Sequence, residues 1–415
     1  MPRPLWEHAR TDAVRQPWRG RPRALLARTR RLGAVLAIFL LSRLAFYLVA
    51  LFGNDHGEQV NQALTLRIHW RWDALHYYGI AVRGYGAADE SAAFFPLLPL
   101  LIRGAAMVLG GMRWPLPTPI ERADESVLLA GVLLANGAAL LAFCLLYELV
   151  LADTGDDATA QRAVLYTASF PLAFFYAVPY TEGLFLATSV GAFLAARRSQ
   201  WIRAGVWAAL ASITRPVGVL LLPALLLEVL LAWRHGSRAA SGWLRAALGL
   251  LLAPAGLLLF LLYLWQRVGD PIAFVHVARS EFGHASIFPP ALVWRGLTLS
   301  AQSIWSDPGS LQRNHLIVFN TFVMLLVLVV LFASFRRWRP AYVLYGLLLC
   351  TVVLSTVPDG DTLRSVGRYL MVFFPVYTTV AHWGRRPLVH LAILLFWLPL
   401  LGLFTAFFLR GYFVA

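Results

Sequence analysis

The sequence predicts an all-α polytopic membrane protein, on three observations. Its 415 residues are 59% hydrophobic and only 14% charged, with a mean hydropathy of +0.65, far from soluble globular averages. Apolar runs of roughly 17 to 25 residues recur along most of the chain, each long enough to cross ~30 Å of hydrocarbon as a helix. Strand-length alternation is missing, which argues against a β-barrel.

In order, apolar segments fall near 33–52, 92–111, 127–151, 162–178, 180–196, 204–216, 217–233, 246–266, 316–335, 340–357, 369–384 and 388–409, about 10 to 12 membrane segments by length. Pro96, Pro99, Pro171, Pro179, Pro216 and Pro223 shorten or interrupt several of them. Such breaks are tolerated at membrane depth where the helix is buried in protein or lines a wet cavity. Loops holding Arg197, Arg198 and Arg203, then Arg234, Arg238 and Arg245, then Arg336, Arg337 and Arg339, then Arg385 and Arg386 read as cytoplasmic by the positive-inside rule. Counts from the two ends disagree over 112–126, so one early segment, 92–111 or 162–178, is either re-entrant or miscounted. Residues 1–32 read as an Arg-rich cytoplasmic tail and 33–410 as a single membrane domain, with sizeable outer loops at about 53–91 and 267–315. No internal repeat is visible, so transporter-like inverted halves are not evident.

A net charge of +15 would suggest nucleic acid in a soluble protein. Here the cations flank apolar runs, so orientation in the membrane explains them and no nucleic-acid partner is expected. Every basic residue other than histidine is arginine, a bias consistent with a GC-rich bacterium. The expected location is therefore the bacterial cytoplasmic membrane, N-terminus inside. The first apolar run lacks a small-residue cleavage site, so no removable signal peptide is expected. Cys144 and Cys350 both lie in apolar runs, which argues against a disulfide framework or thiolate metal site.

The most informative stretch is Trp70–Ala81, followed by Gly84, Tyr85 and Glu90. It reads as an amphipathic helix lying in the interface, with Trp70, Trp72, Leu75, Tyr78 and Ile80 dipping into the headgroups. Asp73 is either the solvated acid of that belt or a general base poised at the membrane surface. Glu90 is either a helix-entry carboxylate or a group that orients an acceptor hydroxyl. Glu182 lies at bilayer depth, where a carboxylate costs roughly 2.5 to 3.5 kcal/mol on insertion scales, so it should face a cavity or a partner. Arg215 poses the same problem with opposite sign, and an ion pair between the two is one solution. Arg364 and Arg368 flank a helix at the outer side, either snorkelling or clamping a lipid phosphate with their planar forks. Asp270, His276, Glu281 and His284 crowd one outer loop, without the spacing of a metal-binding helix.

These pieces together resemble the PIG-V family, the GPI mannosyltransferase II type. The resemblance rests on Trp72-Asp73, Ile80-Ala81, Gly84-Tyr85, Ala93 to Leu97, Tyr180 to Phe185, Thr214-Arg215, Gly269-Asp270-Pro271 with Phe274, and Arg368-Tyr369 with Phe374-Pro375. It implies a GT-C-type helical bundle and transfer of a sugar, typically mannose, from a polyprenyl-phosphate donor on the face away from the cytoplasm. It also implies inversion at the anomeric carbon, with an acid of the first outer loop as base. The expected catalytic residues are Asp73 and Glu90. Expected substrate-binding residues are Trp72, His76, Tyr85, Glu182, Arg215, Asp270, His276, Arg364, Arg368 and Tyr369. Arg71 occupies the position where other GT-C enzymes carry a second aspartate, so no resident metal is expected, with a loosely held Mg²⁺ or Mn²⁺ left open. Expected partners are the polyprenyl-phosphate sugar donor, an acceptor of unknown type and membrane lipids. The rival readings are a lipid or sugar-lipid transporter and a non-catalytic subunit of the same fold.

Overall fold

The structure is a computed structural model that describes residues 21–52, 65–86, 90–110, 125–234, 240–305, 308–335, 337–358, 363 and 365–414. Most of the tail at 1–32, parts of the outer loops and Arg364 lie outside the described residues. Helices dominate, as the hydropathy predicts. Six described helical stretches are long and apolar enough to cross a membrane: Thr29–Phe52, Glu125–Thr154, Pro216–Arg234, Gly242–Val268, Asn314–Ser334 and Pro387–Leu409.

The other apolar segments of the sequence form shorter helices, because their prolines and turns cut them. Helix Asp157–Ser169 stops at Phe170 (φ −55°, ψ 141°), since the residue before Pro171 is excluded from helical space. A buried 3-10 turn, Ala173–Tyr176, then leads to helix Glu182–Arg197. Helix Leu97–Val108 has 12 residues, about 18 Å of rise against the ~30 Å needed. It is too short to cross as one straight span.

Helix Glu182–Arg197 forms the centre, buried over nearly its whole length. Its small residues let neighbours approach closely. A Cβ on Gly183 would touch the Ala139 backbone at 3.3 Å, and one on Gly191 would collide with the Trp207 ring. The arginine-bearing end is tied by ion pairs. Arg197 Nε meets Asp153 Oδ1 at 2.7 Å, Arg198 reaches Glu148 at 3.0 Å, and Arg385 reaches Asp156 at 3.0 Å.

At the opposite end the structure corrects the interfacial-helix reading. The helix is Asp73–Arg83, and it is packed inside the protein: Ala74, Tyr77, Tyr78, Ile80, Ala81 and Val82 are buried. Trp70 is buried too, its ring lying where a Cβ of Gly131 would be. Of the five residues expected to enter the headgroups, only Trp72 and Leu75 are well exposed, both at 41%. The stretch expected as the second outer loop folds as helix Ala273–Ser280, strand His284–Ser286 and helix Pro289–Trp305. Its strand pairs antiparallel with Thr356–Pro358, Ala285 opposite Val357.

Candidate active site

Helix breaks place the charges of the site. Pro216 holds Arg215 extended (φ −150°, ψ 147°) for the same steric reason as at Phe170, so helix Trp201–Thr214 ends and Arg215 reaches Glu182. Glu182 is the first residue of its helix and fully buried, where the helix dipole favours an anion. Arg368 lies on the short helix Val366–Leu370. That helix is anchored by Gly367, whose N–H donates to Asn320 Oδ1 at 2.8 Å and whose Cβ, were there one, would crowd the same oxygen at 2.6 Å. Asp73 opens its helix directly after Trp72, which has φ +50°. Left-handed backbone of this kind costs a residue with a side chain roughly 1–2 kcal/mol.

The charges form one chain of contacts. Arg368 Nη2 donates to Asp73 Oδ2 at 2.5 Å. Its Nε lies 2.8 Å from Glu182 Oε1, a charge contact without hydrogen-bond alignment. Arg215 donates from Nη2 to the same Glu182 oxygen and from Nε to Thr181 Oγ1 at 2.8 Å. The rings of Phe175, Tyr180 and Tyr369 surround the Arg368 guanidinium at 5.4, 5.1 and 5.5 Å, adding cation–π attraction. Two carboxylates and two guanidiniums leave the cluster neutral.

Asp73, Arg215, Arg368 and Tyr369 line a cavity of about 470 Å³ together with Tyr77, Thr181, Phe94, Phe95, Phe274, Arg279, Phe282 and His284. Glu182 is not among its lining residues and reaches it through the two arginines. The outer-loop helix Ala273–Ser280 is pinned across this space by ring contacts, Phe95 with Phe274 at 5.5 Å and Phe94 with Phe282 at 5.9 Å. Burial and the adjacent Asp73 carboxylate raise the pKa of the Tyr77 phenol, which keeps it protonated and able to donate. No hydrogen bond among the described residues reaches Asp73 Oδ1, so that oxygen is free to take a proton.

The remaining expected site residues fall elsewhere. His76 stacks on Phe94 at 4.3 Å and lies 3.6 Å from Glu90; both line a second cavity of about 620 Å³ with Arg83 and Glu281, not the cavity that Asp73 lines. Tyr85 is buried and donates to the Phe94 carbonyl at 2.7 Å, and Trp72 packs its ring on Phe413. Asp270 and His276 pair with each other at 2.6 Å. Neither pair of residues lines either cavity. Arg364 lies outside the described residues. Conversely, Tyr77, Thr181, Arg279, Phe274, Phe282 and His284 were not foreseen as lining residues. Tyr77 has a signal in the sequence, being one helical turn after Asp73. Arg279 has none, because its loop is notable for histidines and acids rather than for a lone cation. No group of three or more His, Cys, Asp or Glu placed to hold a metal occurs among the described residues.

A helical membrane protein with a neutral, buried ion cluster on the wall of a cavity at one end is the class that this fold and site define. Residues 34–236 of the chain match the family model of the mannosyltransferase PIG-V. It is 30% identical over 128 residues to GPI mannosyltransferase 2 of Chaetomium globosum, an alignment that covers 30% of this chain and 26% of that protein. The chain thus spans about a quarter of the curated relative it matches. Among solved structures it is similar to ArnT from Cupriavidus metallidurans bound to undecaprenyl phosphate, with a TM-score of 0.49, 12% identity, and 92% and 76% of the two chains covered. It is also similar to the Archaeoglobus fulgidus oligosaccharyltransferase AglB in complex with an inhibitory peptide and a dolichol-phosphate, with a TM-score of 0.45, 14% identity, and 93% and 56% covered.

Because Glu182 holds two arginines, Glu182→Leu is expected to destabilise the protein by about 3–5 kcal/mol, the cost of leaving buried charges unpaired. Glu182→Gln, which keeps an acceptor, should cost less. Thermal unfolding in detergent measures both, and an unchanged midpoint for Glu182→Leu would show that the cluster does not hold these segments together.

Proposed function

We propose that this protein transfers a sugar, with mannose expected, from a polyprenyl-phosphate donor to an acceptor hydroxyl on the extracytoplasmic face of the membrane. The observation that carries the reading is the Asp73 carboxylate on the cavity wall, oriented through one oxygen by Arg368 and with the other unbonded. The match of residues 34–236 to the mannosyltransferase PIG-V model supports the sugar and the chemistry of transfer. In the proposed step Asp73 Oδ1 takes the proton of the acceptor hydroxyl. The hydroxyl oxygen bonds to the anomeric carbon from one side as the bond from that carbon to the phosphate oxygen breaks on the other. The sugar inverts and the lipid phosphate leaves with the bonding pair.

A leaving phosphate requires positive charge held in place for it. Arg215 and Arg368 are already balanced by Glu182 and Asp73. Arg279, which also lines the cavity and is exposed, brings a cation that makes no ion pair among the described residues, and its guanidinium is suited to a phosphate. Arg279 thereby takes over the clamp role that the sequence suggested for Arg364 and Arg368. Glu90, on the second cavity with His76, has no part in this step.

Asp73→Asn should lower kcat roughly 10²–10⁴-fold, the usual worth of a general base, measured with polyprenyl-phosphate mannose in membranes. Full activity would overturn its assignment. Arg279→Gln should raise the KM for the lipid donor about tenfold, the loss of one charge-assisted contact. An unchanged donor KM would remove Arg279 from the site. We further propose that the reaction needs no divalent cation, since the arginines supply the charge: EDTA should leave the rate unchanged, and a loss restored by Mn²⁺ would refute this.

A further inference from the structure

Arg43 sits within the apolar span Thr29–Phe52, where a charge is expensive unless it is paired or marks a ligand. Its Nε is buried without a hydrogen-bond partner among the described residues, and no hydrogen bond or ion pair of its guanidinium occurs among them; the Phe39 ring lies 4.8 Å away. This contrasts with Arg215 and Arg368, whose charges the chain itself balances.

Arg43 lines a groove of about 250 Å³ between the first span, the turn Ala173–Tyr176 and the last span. Small residues, including Ala173, Ala177 and Gly402, open the space, and Leu398 and Leu401 make one wall apolar. The groove is separate from the catalytic cavity. Phe174 lines it, whereas the adjoining Phe175 lies under Arg368 at 5.4 Å. On its outer side the first span exposes Leu40, Leu41, Leu44 and Leu48, the surface expected to face acyl chains. One helical turn beyond Arg43, Tyr47 is hydrogen-bonded to His69 at 3.2 Å, so a polar edge lies close above the guanidinium.

We propose that this groove is a binding site for an anionic glycerophospholipid of the surrounding bilayer, its phosphate paired with Arg43 and an acyl chain lying along Leu398 and Leu401. Charge complementarity sets the headgroup: a cation without a partner among the described residues calls for an anion that partitions into the membrane. The position of the groove sets the source, since Phe174 lines it and Phe175 lies against Arg368, between the groove and the cavity in which the sugar donor is proposed to bind. This assignment does not depend on the reaction proposed above.

The test uses the full-length protein, purified in detergent, delipidated and offered phosphatidylglycerol or diacylglycerol with the same acyl chains, with bound lipid counted by native mass spectrometry. The wild type should retain phosphatidylglycerol about tenfold better, the worth of one charge-assisted contact. Arg43→Leu should abolish that preference and Arg43→Lys should keep part of it. Gly402→Leu, at a position with no neighbouring atom within 4 Å of its Cβ, should fill the groove and reduce retention with Arg43 intact, so the proposal is tested even if Arg43→Leu fails to fold. Equal retention of the two lipids by the wild type, or an unchanged preference in Arg43→Leu or Gly402→Leu, would overturn it. So would selective displacement of phosphatidylglycerol by a polyprenyl phosphate, which would give the groove to the donor lipid.

Discussion

A fully buried carboxylate, Glu182, faces two guanidiniums, and the architecture of the site end follows from having to satisfy it. Glu182 and Arg215 each sit where a helix begins or has just stopped. Arg368 rides on a helix of only five residues, and Asp73 opens another. A continuous membrane helix offers neither a polar end nor a dipole terminus at that depth, whereas a broken one offers both. The prolines that shorten the segments are therefore what allow charge to be carried inward. The ion pairs in turn hold together segments far apart in the chain, Asp73 and Arg368 being separated by 295 positions.

The opposite end is built differently. Arg339 makes a bidentate pair with Glu228 at 2.7 and 2.6 Å. Asp153 is shared by Arg197 Nε and the Tyr342 hydroxyl, each at 2.7 Å. Between the two polar layers lie Phe193, Tyr342, Tyr345 and Phe374 in edge and tilted ring contacts. A transporter needs polar groups that can open towards either face in turn. Here the charges of one end are locked to each other behind an aromatic layer, while those of the other end line a cavity. That asymmetry favours chemistry confined to one side over passage through the protein.

Hydropathy alone carried the helical class and six of the twelve expected membrane segments, because burial in lipid demands continuous apolar runs. The pairing of Glu182 with Arg215 was also legible: two opposite charges at bilayer depth, each next to a proline break, have few other ways to be accommodated. The joining of Arg368 to Asp73 was not, since nothing local records a contact across so much chain. The nature of the Trp70–Arg83 stretch was misread for a related reason. Aromatic residues suit both an interface and a protein core, and what decides between them is Gly131 on a distant helix, which leaves room for the Trp70 ring. Periodicity places His76 and Tyr77 about equally near Asp73. The stack of His76 on Phe94 and its approach to Glu90 turn it to the second cavity, leaving Tyr77 at the first.

Backbone strain gives the site its rigidity. Trp72 immediately before Asp73, and Leu363 and Ser365 just before the Arg368 helix, all have positive φ, at 50°, 71° and 61°. Conformations of this kind persist only where surrounding contacts over-determine them, and here those contacts are visible: the Trp72 ring on Phe413, the Gly367 N–H on Asn320, and the Arg368–Asp73 pair itself. The carboxylate and its cation are thus set by two strained turns from opposite ends of the sequence, closed on each other by charge. In the proposed role of base, a carboxylate held in this way would need no reorganisation when a hydroxyl arrives, which is where a preorganised site gains over water.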